Sequence, residues 1–223
     1  MLGIYDCFGY GAGYDVSFSK RYKLIKNAGF DCVMLWWSDK FGRGAGYEKD
    51  ADYARDVGLL IENIHCPVHL QDDISLDSLN GEDSFELYVK CLKDCEALHI
   101  PTMVIHAPSD NFPINTLGLY RFREIIACAE DSNVTVAFEN LKNISNLSIL
   151  FDAFKSRNVG FCYDSCHHIN YAANTDLLGK YGGRLKAVHL QDNGGLRIYQ
   201  ADLCLLHNLC DGSCHSKIPR CGI

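Results

Sequence analysis

Glu139, Asp164, His106 and His189 each stand at or near the end of a short β-type run, and carboxylates with imidazoles are the natural ligands of a divalent cation. In VTVAFEN (134–140) one alternation phase holds Val134, Val136 and Phe138, the other Thr135, Ala137 and Glu139. In VGFCYDS (159–165) the bulky phase is Val159, Phe161 and Tyr163, and the small phase is Gly160, Cys162 and Asp164. Elsewhere Leu185, Ala187 and His189 share a phase, as do Thr102, Val104 and His106; IENIH groups His65 with Ile61 and Asn63. If the small phases fill the inside of a parallel barrel, all five polar residues point inward at the C-terminal ends of their strands. Barrel enzymes build their active sites there. Each residue alone has a plainer reading. A strand-end His is usually a satisfied core or loop residue, an Asp usually caps the next helix, and Glu139 could cap or pair with a Lys. Gathered in one cavity they would be unpaired ionisable groups, and one divalent ion resolves that. The ligand mixture does not choose among Mn²⁺, Mg²⁺, Co²⁺ and Zn²⁺.

These residues need a frame that repeats. Strand candidates fall at 2–7, 31–37, 60–66, 102–107, 134–140, 159–165 and 184–192. Amphipathic stretches at 17–29, 47–58, 84–99, 116–131 and 146–156 lie between them, with a weaker helix in TDLLGKYGG. Ser84 and Thr116 are candidate N-caps, and Gly29 and Gly58 stand at C-cap positions. A spacing of about 30 residues is one βα unit, so the fold class is α/β, a TIM (β/α)8-type barrel with seven units visible. The barrel is assigned to residues 1–195. Residues 196–223 form an atypical Cys-rich tail, disordered or frame-shifted beyond Gly195, which supplies no recognisable eighth unit. Strands one and seven should then face each other across an unfilled gap that only the tail GLRIYQADLCLLHN could cover, with LRIYQA able to pair briefly as an edge strand.

Composition narrows the function classes. The chain has 223 residues, is 48% hydrophobic and carries 21 Lys+Arg against 28 Asp+Glu, a net charge of −7. That balance argues against a large phosphate-binding surface, so no nucleic-acid partner is expected. No apolar run approaches the roughly 18 residues that cross a bilayer. With no secretory signal in MLGIYDCFGYG, the 12 cysteines are read as reduced and the location as cytoplasmic. Cys204, Cys210, Cys214 and Cys221 lack a C-x2-C knuckle, which weakens a zinc reading of the tail. FGYGAG (8–13) and FGRGAG (41–46) have no phosphate-loop match and read as turns or βα loops beside the site.

VIHAP with His106, AFEN with Glu139, the D-x-x-H of Asp164 and His167, and VHLQD with His189 occur in an order and spacing that resemble the xylose-isomerase-like barrel superfamily. That superfamily includes sugar isomerases and epimerases, inosose dehydratase-type enzymes and the endonuclease IV branch. The resemblance covers about residues 1–193. It implies that Glu139, Asp164 and His189 ligate one divalent metal, with a second Glu from strand eight completing the set. It also implies that His167 contacts a substrate hydroxyl. In the endonuclease branch His65, His106 and His167 would join a three-zinc cluster, together with a later Asp-x-His pair and a terminal Glu. Downstream of His189 this sequence has neither an Asp-x-His nor any glutamate.

The expected function is a metal-dependent sugar or sugar-phosphate isomerase or epimerase, acting by proton transfer next to a carbonyl. Glu139 is the catalytic group, while His65, His106, His167 and Trp36 are placed against the substrate. Phe8, Trp36 and Trp37 end the first two strands and could stack on a sugar; ordinary burial is an equal reading for at least one of the tryptophans. The partner is a small sugar or sugar phosphate, and a homo-oligomer is compatible with this. Without the second glutamate activity should be weak or absent, with Asp202 the only stand-in. The alternatives are an endonuclease IV-type abasic-site repair enzyme and a truncated, inactive relic.

Overall fold

A computed structural model describes residues 1–7, 16–37, 47–109, 111–190 and the pair 203–204. Phe8, both glycine-rich segments, Asp202, LRIYQA and the tail cysteines other than Cys204 lie outside the described residues, as does nearly all of the 196–223 tail. Seven parallel strands follow one another around the sheet: β1 Gly3–Tyr5, β2 Cys32–Trp36, β3 Leu60–His65, β4 Thr102–His106, β5 Thr135–Glu139, β6 Val159–Asp164 and β7 Leu185–Leu190. Each lies within one of the expected runs. A two-residue strand, β8 Leu203–Cys204, pairs antiparallel with β7 and lies against β1. The open gap expected between strands one and seven is therefore corrected. The tail puts a strand there, but its direction is opposite to that of a barrel's eighth unit.

The helices are α1 Phe18–Asn27, α2 Asp50–Asp56 (after a 3-10 turn, Tyr47–Lys49), α3 Leu79–Ala97, α4 Thr116–Ser132, α5 Ile144–Ala153, α6 Ser165–Tyr171 and α7 Leu177–Tyr181. Gly29 and Gly58 follow α1 and α2 with φ of +92° and +78°, the left-handed turn that ends a helix at little cost only for glycine. The expected caps were misplaced. Ser78, not Ser84, caps α3 by accepting from Gly81 N–H, and Asn115, not Thr116, caps α4 by accepting from Gly118 N–H. Ser84 instead sits inside α3, fully buried, with no hydrogen-bond partner for its Oγ among the described residues. None of the described helices is long and apolar enough to cross a membrane.

Side-chain size sorts the two faces as the alternation predicts. Val136, Phe138, Val159, Phe161, Met103 and Ile105 pack outward with Phe122, Leu147, Leu150 and Phe151 of the helix layer. Val104, Ala137, Cys162 and Ala187 form a separate small cluster inside the barrel. Burying one such aromatic or aliphatic side chain contributes roughly 1.5–3 kcal/mol, so a one-residue slip would forfeit several of these gains at once. Register is thereby fixed, and it levels the polar residues. Trp36 pairs with His65, His106 with Glu139, Glu139 with Cys162, and Asp164 with His189.

Candidate functional site

Glu139 is the hub. It ends β5 at 1% exposure, and four imidazoles from four other elements meet its carboxylate. His65 Nε2 is 3.2 Å and His189 Nδ1 3.1 Å from Oε2; His106 Nε2 is 3.4 Å and His167 Nδ1 3.2 Å from Oε1. Asp164, fully buried, lies with Oδ2 4.0 Å from His189 Nδ1. Glu139, Asp164, His65, His106, His167 and His189 thus reach one cluster, with Trp36 stacked on His65 at 4.6 Å and 13°. Trp37 takes the burial alternative. It is 1% exposed, faces the helix layer, and donates from Nε1 to Asp94 at 2.7 Å.

Local folding explains how these groups meet. Asp164 both ends β6 and caps α6, its Oδ1 accepting from His167 N–H at 2.7 Å. The D-x-x-H spacing is therefore a helix start, which turns the His167 ring back towards Glu139. Asn140 ties the two strand ends together: its amide donates to Asp164 O at 2.9 Å, and its Oδ1 accepts from Asp164 N–H at 2.8 Å. His167 Nδ1 also lies 3.0 Å from Asn140 O. Asn140, Cys162 and Gln71 join the site beyond the residues expected from the sequence. Cys162 shares the inward phase of Asp164, and that signal could have found it; its Sγ lies 3.6 Å from His189 Nε2. Gln71, 2.6 Å from His106 Nδ1, comes from an irregular segment with no periodicity to read.

The charges are strongly coupled. Burial alone would raise the Glu139 carboxyl, but the His189 and His106 imidazoles outweigh it and hold the group well below the usual range. Burial and the Glu139 charge push Asp164 up to about 6, against the pull of His167. Burial opposes charging of His189 and His167 too. Cys162 and Glu139 nevertheless hold His189 well above its ordinary value, and the Glu139 hydrogen bond raises His167. For His106 burial wins and the ring is pushed down, towards neutrality.

This donor set fits a cation. A backbone carbonyl only accepts, so His65 Nδ1, 2.8 Å from Cys66 O, carries the proton. The His65 Nε2 lone pair then faces Glu139 Oε2, acceptor against acceptor, a contact that a proton or a metal ion relieves. Among the described residues, three groups have ligand atoms within 4.8 Å of one another: His65, His106 and Glu139; Glu139, Cys162 and His189; and Glu139, Asp164 and His167. Glu139 belongs to all three.

Residues 22–200 match the family model for the xylose isomerase-like TIM barrel. The chain belongs to that family. A Sinorhizobium fredii (strain NBRC 101917 / NGR234) protein, the uncharacterized y4fM, is 25% identical over 226 residues, covering 82% of this chain and 71% of that protein. Among solved structures, a D-tagatose 3-epimerase-like protein superposes with a TM-score of 0.67 at 17% identity, over 87% of this chain and 77% of its own. An L-ribulose 3-epimerase gives 0.66 at 17%, over 86% and 70%. D-Psicose 3-epimerase of Clostridium cellulolyticum H10, solved with D-tagatose, gives 0.65 at 14%, over 85% and 72%. At these identities the likeness shows a shared barrel.

Proposed function

We propose that this family member is a metal-dependent isomerase or epimerase of small sugars or sugar phosphates. The observation that carries the reading is the Glu139 carboxylate at the barrel mouth, with Asp164 and His189 beside it on adjacent strands. Glu139, Asp164 and His189 would hold one divalent ion, which supplies Lewis acidity to a sugar carbonyl. Glu139 is the proton-transfer group. Its carboxylate takes the proton from the carbon next to the carbonyl, the C–H electrons move onto the carbonyl oxygen, and return of the proton to carbon completes the exchange. His167 is 20% exposed at its side chain and sits at the rim, where it can bond a substrate hydroxyl. His65, His106 and half-buried Trp36 wall the opposite side.

Held so low by its imidazoles, Glu139 is a weak base in the ion-free centre. Turnover by Glu139 alone is expected below about 1 s⁻¹, the low end of ordinary enzymes. Elemental analysis of the purified protein, with deuterium wash-in from solvent into a panel of ketoses and their phosphates, tests both halves. Metal-dependent exchange at the carbon beside the carbonyl supports the reading. Bound metal with no exchange on any ketose would favour the inactive relic.

A second reading draws on His65 and His106, whose Nε2 atoms face the two oxygens of Glu139 and could seat a further ion, as in an endonuclease IV-type enzyme. Incision of an abasic-site duplex would promote it.

A further inference from the structure

His106 is oriented by a residue that no motif contains. Gln71 lies between β3 and α3 and brings its Oε1 to 2.6 Å from His106 Nδ1, while His106 Nε2 lies 3.4 Å from Glu139 Oε1. The segment that carries Gln71 is firmly tied to the neighbouring βα connection. Ser109 donates to Asp72 through its N–H at 2.6 Å and its Oγ at 2.7 Å. Asn115 Nδ2 donates to Ser75 O at 2.8 Å. Arg121 in α4 donates to Ile74 O at 3.0 Å and to Leu76 O at 2.7 Å. These bonds hold the half-buried Gln71 amide against the imidazole instead of leaving it to sample solvent.

We propose that Gln71 is a positioning residue: its Oε1 accepts the Nδ1 proton of His106 and so fixes the tautomer whose Nε2 lone pair faces Glu139. This rests on the cation-centre reading above. His106 then serves as an acceptor, for the ion or for a substrate hydroxyl, and never donates a hydrogen bond to the sugar through Nε2. The reversed amide would place an NH2 group on Nδ1, move the ring proton to Nε2 and make His106 a donor to Glu139. His65 supplies the internal comparison. Its Nδ1 meets a backbone carbonyl that can only accept, and its Nε2 faces the other oxygen of Glu139 at 3.2 Å. Gln71 gives His106 the same state by a side chain, so adjacent strands present two equivalent nitrogens to one carboxylate. Partners on the second nitrogen set the tautomer and strengthen the ligand, and losing one typically costs 10–100-fold in metal affinity.

The test reads the tautomer directly. Long-range proton–nitrogen NMR of the ion-free full chain, with the His106 ring assigned by its loss in His106→Asn, should show Nδ1–H in the wild type. Gln71→Leu should lose that tautomer. Gln71→Glu, which keeps the acceptor, should restore it. A wild-type ring protonated at Nε2, or a Gln71→Leu variant that keeps the wild-type tautomer, overturns the proposal. A wild-type protein that binds no Zn²⁺ would instead count against the cation centre, and the ion-free tautomer would still decide the role of Gln71.

Discussion

Replacing Glu139 by Gln should remove most of the ion-induced stabilisation, because that one carboxylate belongs to every group of ligand atoms found among the described residues. The magnitude follows from linkage. An ion at 100 times its dissociation constant stabilises the folded state by about 2.7 kcal/mol. In a chain of this length about 1 kcal/mol moves the melting temperature by roughly 2–4 °C, so the wild type should gain about 5–11 °C. Glu139→Gln keeps the shape but removes the negative charge that faces four imidazoles. If affinity falls about 100-fold, the same ion concentration contributes only about 0.4 kcal/mol, or roughly 1 °C. Asp164→Asn, which leaves the His65 and His106 side intact, should retain part of the gain. The assay is differential scanning fluorimetry against a chelated reference, in Mn²⁺ and in Zn²⁺. A Glu139→Gln protein that melts as the wild type does without ion, yet gains as much when ion is added, would refute the assignment of Glu139 as the shared ligand.

Without metal, stability should vary with pH through Asp164 and His189. Asp164 keeps its proton to about pH 6 when folded but to about 3.9 when unfolded, so its contribution falls by up to about 3 kcal/mol as pH rises between those values. His189, raised in the folded state, adds stability that is present below about pH 6.5 and lost as pH rises through its folded value. Glu139, depressed, acts oppositely, its contribution being lost as pH falls through its folded value. Melting in chelator across pH 4–9 should show the Asp164 limb flatten in Asp164→Asn; an unchanged profile would contradict this. Ser84→Ala should be neutral or stabilising by about 1 kcal/mol in urea unfolding, since it removes a buried hydroxyl with no bond to lose. With a net charge of −7, the protein should neither retard nor incise an abasic-site duplex at physiological salt.

Periodicity carried the strands because β propensity, side-chain size and burial agree there: Val136 and Phe138 outward, Ala137 and Glu139 inward, as the alternation required. The same phase rule placed His65, His106, Asp164 and His189 on one level. Helix starts were harder. Ser84 has the residue type of a cap but lies on the buried stripe of α3, so tertiary packing overrode local preference and Ser78 took the role. Helix α6 escaped because seven residues give too little amphipathic pattern, although Asp164 and His167 already held its cap. Gln71 was invisible for a different reason. It acts through bonds that cross between two connections, and alternation says nothing of such contacts.

The two oxygens of Asp164 have separate employments, and that limits how an ion can be gripped. Oδ1 is committed to the N–H of His167 at 2.7 Å, whereas Oδ2 is the oxygen turned to His189. A cation that drew on both oxygens would share Oδ1 with that N–H and weaken the cap, whose complete loss costs about 1 kcal/mol, loosening the turn that aims His167 at Glu139. An ion held by Asp164 would therefore be offered Oδ2. Small ions with short, directed bonds suit such a ligand, while calcium, which often takes carboxylates through both oxygens, would have to loosen the helix start to be held equally well.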